Sequence, residues 1–203
     1  MKKIILFLII NSAFSIMHCA AQYPEYGIGV RGGTTWSFIW SNPAITQPSM
    51  PLTFHVGTQF RIVSERYFGL KAELNYTQRG FKDKEGHRQL DYIELPLMTH
   101  ITFGQKLFRF FIDLGPEISY LIKDNPITSA TIQHTSKIKN RFDYGLVGGL
   151  GFEFNTKYGI YTIDARYHFG LNNIFGNSAA EYFKTSTCQN ITLSLAYLFP
   201  IRQ

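Results

Sequence analysis

Acidic, basic and imidazole side chains recur on alternate positions along most of this chain: Arg31, His55, Arg61, Lys71, Glu73, Glu94, His100, Arg109, Asp113, Glu117, Asp143, Glu153, Asp164, Arg166 and His168. Groups of these types can pair as ions, relay protons, or act as the acid and base of a catalytic site. A relay or a catalytic site calls for convergence on a short motif, and these residues are spread over seven separate stretches. Acids and bases are nearly matched in number, and buried charges survive only when paired and hydrogen-bonded. The expectation is an internal ion-pair network built from Arg31, Arg61, Lys71, Glu73, Glu94, Arg109, Asp113, Glu117, Asp143, Glu153, Asp164 and Arg166.

Other residue types offer less. His87, in the charged run Lys82 to Arg88, and His134 are candidates for a general base at an outer surface, although a histidine in such a loop is normally just solvated. Gly145 to Gly151 is the nearest approach to a nucleotide fingerprint, but it lies inside an alternating run and opens no helix. With Gly57 and Gly115, Gly145, Gly149 and Gly151 instead suit a crowded interior where long side chains need room. No cofactor or metal set emerges from the spacing.

The charges alternate because the elements that carry them alternate. In Leu52 to Val63 one row reads Phe54, Val56, Thr58, Phe60, Ile62, without charge, and the other reads Thr53, His55, Gly57, Gln59, Arg61. Apolar-out, polar-in alternation is the pattern of a barrel with lipid outside. Strands are expected over 26–35, 52–63, 68–80, 90–103, 107–121, 142–154, 160–169 and 189–199. The fold class is therefore all-β, an eight-stranded antiparallel transmembrane up-and-down barrel. Short connections (64–67, 104–106, 155–159) alternate with long ones (36–51, 81–89, 122–141, 170–188). In outer-membrane barrels short turns are periplasmic and long loops extracellular, which puts both termini in the periplasm. With eight strands the interior holds only side chains, so a general diffusion pore is not expected.

Aromatic residues mark two interfaces. Tyr67, Phe68, Phe103, Phe108, Phe154, Tyr158, Tyr161 and Phe199 gather at the short-turn ends. Trp36, Trp40, Tyr76, Phe81, Tyr92, Tyr120, Phe142 and Phe169 gather at the long-loop ends. Such sets are the two girdles of a membrane barrel. Pro96 and Pro116 each call for a bulge or a strand end, since proline removes a ladder hydrogen bond.

The first 21 residues read as a cleaved secretory signal: Lys2 and Lys3, an apolar stretch from Ile4, then small residues at Cys19 to Ala21. A short transmembrane helix and a lipoprotein signal ending at Cys19 are the alternatives. Residues 22–203 form the barrel domain, which then retains Cys188 alone and no intrachain disulfide. The formal net charge of +6 falls to +4 without Lys2 and Lys3, and the basic residues are dispersed, which excludes a nucleic-acid-binding face. Mean hydropathy of -0.07 hides the membrane signal, because every second strand residue is polar. One local excess stands out in 122–141, where Lys123, Lys137, Lys139 and Arg141 face Asp124 alone. Lys137, Lys139 and Arg141 are candidates for contact with lipopolysaccharide or an acidic partner.

Gly29-Val-Arg-Gly-Gly33, Leu70-Lys-Ala-Glu-Leu-Asn-Tyr76 with Gln78-Arg-Gly80, Tyr92-Ile-Glu-Leu-Pro-Leu97, and Asp113-Leu-Gly-Pro-Glu-Ile-Ser-Tyr120 together resemble the PorT-like outer-membrane β-barrel family of Bacteroidetes. The resemblance implies an integral outer-membrane barrel without known catalytic residues or cofactors, whose founding member is associated with assembly of a secretion system. Ser194 to Phe199 is similar to the aromatic-ended last strand that barrel-assembly machinery reads. The first functional expectation is a structural, anchoring or interaction role in the outer membrane. The alternatives are a barrel enzyme acting on lipid or peptide, and a soluble lipocalin-like barrel that turns its aromatic row inward.

Overall fold

The computed structural model describes residues 25–42, 52–64, 67–83, 86–105, 107–128, 141–171 and 185–201. Eight strands follow one another: β1 (Glu25–Asn42), β2 (Leu52–Val63), β3 (Phe68–Asp83), β4 (Gly86–Gln105), β5 (Phe108–Thr128), β6 (Phe142–Asn155), β7 (Ile160–Gly170) and β8 (Thr185–Ile201). Each pairs antiparallel with its neighbours in sequence, and β1 pairs with β8 to close the ring. The first residues of β1 lie beside the last of β8 (Tyr26 opposite Ile201), so both ends of the described chain emerge on the short-turn side.

Period-two alternation sets the faces, since successive side chains of a strand point to opposite sides. Phe54, Val56 and Phe60 are 49%, 51% and 40% exposed on the outer wall, while His55, Gln59 and Arg61 between them are buried in the lumen. The same split runs around the ring: Ile93, Leu95 and Leu97 lie outside, and Glu94, Met98 and His100 inside. A wall of exposed aliphatic and aromatic side chains over a charged lumen excludes the soluble lipocalin-like arrangement, which needs the opposite orientation. Among the described residues no helix is long and apolar enough to cross a membrane.

Several strands run beyond the expected limits, by one or two residues at the short-turn end and by more at the long-loop end. β1 continues to Asn42 against Thr185 of β8, and β5 continues to Thr128. The connection expected to loop over 81–89 is a hairpin in which Asp83 pairs with Gly86, leaving two residues between the strands. In the sequence no alternating apolar row continues through 81–89. Loss of the apolar row marks the edge of the lipid belt and says nothing of where hydrogen bonding stops.

The proline expectation also needs correction. Ala72 pairs with Leu97 and Asn75 with Glu94 at one constant register, and only the rungs opposite Leu95 and Pro96 are missing between them. Pro116 leaves the same short gap in the β4–β5 ladder, between the pairs Pro96–Glu117 and Thr99–Leu114. Each proline lacks a donor toward one neighbour only, so a local gap accommodates it without a slip. The register shift of this ladder falls instead between Asp91 and Tyr92, where β5 carries the extra residue Ile122.

Short turns close the other end. Thr156 organises the β6–β7 turn: its amide donates to the Gly159 carbonyl at 2.9 Å, and its Oγ1 accepts from the Gly159 amide at 3.2 Å. Gly104, with φ of 123°, supplies the left-handed conformation that ends β4.

Candidate functional site

Most of the side chains that fill the lumen are polar, and their charged members form three tiers. The central tier holds Arg31 (β1), Lys71 and Glu73 (β3), Asp113 (β5), and Asp164 and Arg166 (β7), all buried. Arg166 donates to both oxygens of Glu73 at 2.8 and 3.0 Å, a bidentate pair joining strands on opposite walls of the ring. It also reaches Asp113 at 3.3 Å and Asp164 at 3.0 Å. Arg31 pairs with Glu73 and, at 3.1 Å, with Asp164. Lys71 donates to Asp113 at 3.1 Å and lies 4.9 Å from the Phe111 ring centre. Three cations thus meet three carboxylates.

Toward the short turns, Arg61 (β2) pairs across the full diameter with Glu153 (β6). His100 stands between two acids, with Nδ1 2.6 Å from Asp113 and Nε2 3.1 Å from Glu153. The ring thereby links the central tier to the pair below it. His55 differs: its nitrogens face Thr35 Oγ1 at 3.0 Å and Ser194 Oγ at 2.9 Å, hydroxyls that serve a neutral imidazole.

The tier nearest the long loops is organised by Arg79, which the charge pattern missed. Arg79 donates to Glu94 at 2.6 Å, to Glu117 at 3.1 Å and to Asp143 at 3.4 Å, and its guanidinium lies 4.5 Å from the centre of the Tyr92 ring. His168 Nδ1 is 2.6 Å from Glu117 Oε2. Parity contained the signal, since Arg79 is an even number of residues from Lys71 and Glu73 on one strand.

Of the expected network, Arg31, Arg61, Lys71, Glu73, Glu94, Asp113, Glu117, Asp143, Glu153, Asp164 and Arg166 come together in the lumen. Arg109 does not join them. It lies at the short-turn rim, where its 23% exposed side chain pairs with Glu25 at 3.4 Å. Tyr92, expected in the outer girdle, is buried in the lumen beneath Arg79; two residues from Glu94 on the same strand, it must share that face. Tyr120, Phe142 and Phe169 are exposed as a girdle requires, as are all eight aromatic residues of the short-turn set.

Glycine makes room for this packing. A Cβ at Gly149 would overlap Arg166 Cγ, and one at Gly151 would meet Phe111 Cζ at 2.6 Å. Of the basic loop-end cluster, Arg141 is exposed and its carbonyl accepts from the Leu121 amide at 2.7 Å. Lys137, Lys139, His134 and the signal segment 1–21 lie outside the described residues, as do the side chains of His87, Phe81, Trp40 and Cys188.

Comparison with known proteins agrees with this architecture. No curated protein sequence matches the chain. Among solved structures, the outer membrane protein OprG from Pseudomonas aeruginosa superposes with a TM-score of 0.55 at 16% identity, covering 88% of this chain and 97% of that one. The Neisserial surface protein NspA gives 0.49 at 9% identity (86% and 97% covered), and Ail of Yersinia pestis 0.47 at 14% (86% and 99%). At these identities the likeness is one of fold. The family described as the outer membrane protein beta-barrel domain matches residues 20–176, most of the chain, and with the closed eight-stranded ring it shows that this protein belongs to that outer-membrane β-barrel family.

Proposed function

We propose that this protein is an integral, non-enzymatic outer-membrane barrel whose work is structural, anchoring or interactive, done by its rim and loops. One observation carries the reading: Arg166–Glu73 and Arg61–Glu153 each bridge opposite walls, so the interior is tied shut by ion pairs and offers no wide passage. Function then falls to the long loops on a rigid frame. In this reading the short-turn end, with both termini, faces the periplasm, and the long loops face outward. The PorT-like motifs favour a place beside secretion-system or envelope-assembly proteins. Barrel-assembly machinery is the partner during biogenesis, and outer-membrane lipid surrounds the finished barrel.

Lys137, Lys139 and Arg141 are assigned to lipopolysaccharide phosphates or an acidic partner, where cations gain charge-assisted hydrogen bonds. Mild crosslinking in native outer membrane, followed by purification of the barrel with and without these three residues neutralised, tests both statements. The expected result is a defined envelope partner, and lipopolysaccharide co-purification that falls in the triple variant. An uncrosslinked barrel, with lipopolysaccharide unchanged in the variant, would contradict the interaction role.

A further inference from the structure

Buried polar atoms that meet no partner gather in one part of the lumen. Among the described residues, Gln59 Nε2 and Oε1, Arg61 Nε, Thr102 Oγ1, Glu153 Oε2 and Thr162 Oγ1 have no hydrogen-bond partner, and each of these residues is at most 3% exposed. They stand on β2, β4, β6 and β7, in the half of the lumen toward the short turns. Similar atoms elsewhere, such as Asn75 Oδ1 and Asp143 Oδ1, are scattered. A buried polar atom without a partner is costly, and native proteins satisfy it with a neighbouring group or with enclosed water.

The Arg61–Glu153 bridge draws the five residues together. It spans the ring, and His100 Nε2 lies 3.1 Å from the same Glu153 oxygen that Arg61 takes. Thr162 is the register partner of Glu153. Gln59 precedes Arg61 by two residues on one face of β2, and Thr102 follows His100 by two on one face of β4. The adjoining wall carries little bulk, since Gly27 is opposite Arg61, Gly29 is opposite Gln59 and Ala196 is opposite Thr162.

We propose that the short-turn half of the lumen is a binding site for enclosed, ordered water, held by Gln59, Arg61, Thr102, Glu153 and Thr162. The mixed polarity of the set selects this occupant. Gln59 Nε2 and Arg61 Nε only donate, Gln59 Oε1 and the Glu153 carboxylate only accept, and the two threonine hydroxyls do both. An ion of either sign would satisfy part of the set and oppose the rest, whereas water donates and accepts. At about three hydrogen bonds per buried water, the unpartnered atoms call for a cluster of about two molecules. The tiers then differ in kind: in the central tier Lys71 and Arg166 meet their acids directly, and below it water completes the contacts that Arg61 and Glu153 leave open. The inference is independent of the interaction role proposed above.

The test is a crystal structure of the parent chain, folded in detergent, at a resolution that shows ordered water. Water peaks are expected about 2.7–3.2 Å from the Gln59 amide and from Glu153 Oε2, between those groups and Thr162. The absence of such peaks, an ion in their place, or Gln59 and Glu153 Oε2 bonded instead to protein groups would overturn the proposal. Urea unfolding of Thr162→Val, a swap that keeps the shape and removes the hydroxyl, reads the same question in solution. Loss of a hydroxyl bound to water should lower the unfolding midpoint, while loss of a hydroxyl buried dry and unpartnered should raise it. An unchanged or raised midpoint would therefore also overturn the site.

Discussion

Glu73 is the hub of the central tier, accepting from Arg31, Arg166 and Asn75 while facing Lys71 at 3.7 Å. Its replacement by Gln leaves buried cations without their counter-charge, and breaking a buried pair from one side costs about 3–5 kcal/mol. Urea unfolding followed by tryptophan fluorescence should show that loss. Arg109→Ala, which removes only a partly exposed partner of Glu25, should cost under about 1 kcal/mol by the same measurement. Equal losses from the two variants would mean that the central tier is not the dry, interlocked cluster its burial indicates. Gly149 sets the opposite constraint, since any larger residue there must displace the Arg166 stem. Gly149→Leu should therefore lower the unfolding midpoint although it touches no charge, by about 1–3 kcal/mol if it acts as overpacking.

Among the strands, orientation follows from which row can meet hydrocarbon. Leu95 lies near the centre of β4 and faces outward, so Leu95→Arg places a cation in the lipid belt at a cost of about 2–4 kcal/mol. Folding yield into lipid vesicles should fall for this variant and remain near the parent's for Thr99→Ser, on the same face nearer the short turns. The number, order and faces of all eight strands could be read from alternation alone, because each crosses the belt where one row must stay apolar. The tops of β1, β3, β4, β5 and β8 could not, because hydrogen bonding continues there after the apolar row has ended. The charged members of the lumen were readable for the same reason as the strands. Arg79 and Tyr92 escaped notice at that same boundary: Arg79 sits where the β3 alternation weakens, and Tyr92 resembles an interfacial ring unless its parity with Glu94 is counted. The pairing itself, which cation takes which acid across the ring, depends on register and strand number and no single stretch of sequence contains it.

For the whole barrel, the account reduces to a charged interior tied across its diameter inside an apolar wall. The most direct test is a nitroxide scan of β2 from Leu52 to Val63, in a chain freed of its native cysteines and folded into lipid bilayers, reading collision with oxygen against collision with a water-soluble nickel complex. Oxygen contact should alternate with period two and peak at Phe54, Val56, Thr58, Phe60 and Ile62, while His55, Gln59 and Arg61 remain shielded from both quenchers. An alternation of the reverse phase, or free access of the nickel complex to the His55, Gln59 and Arg61 row, would contradict the account.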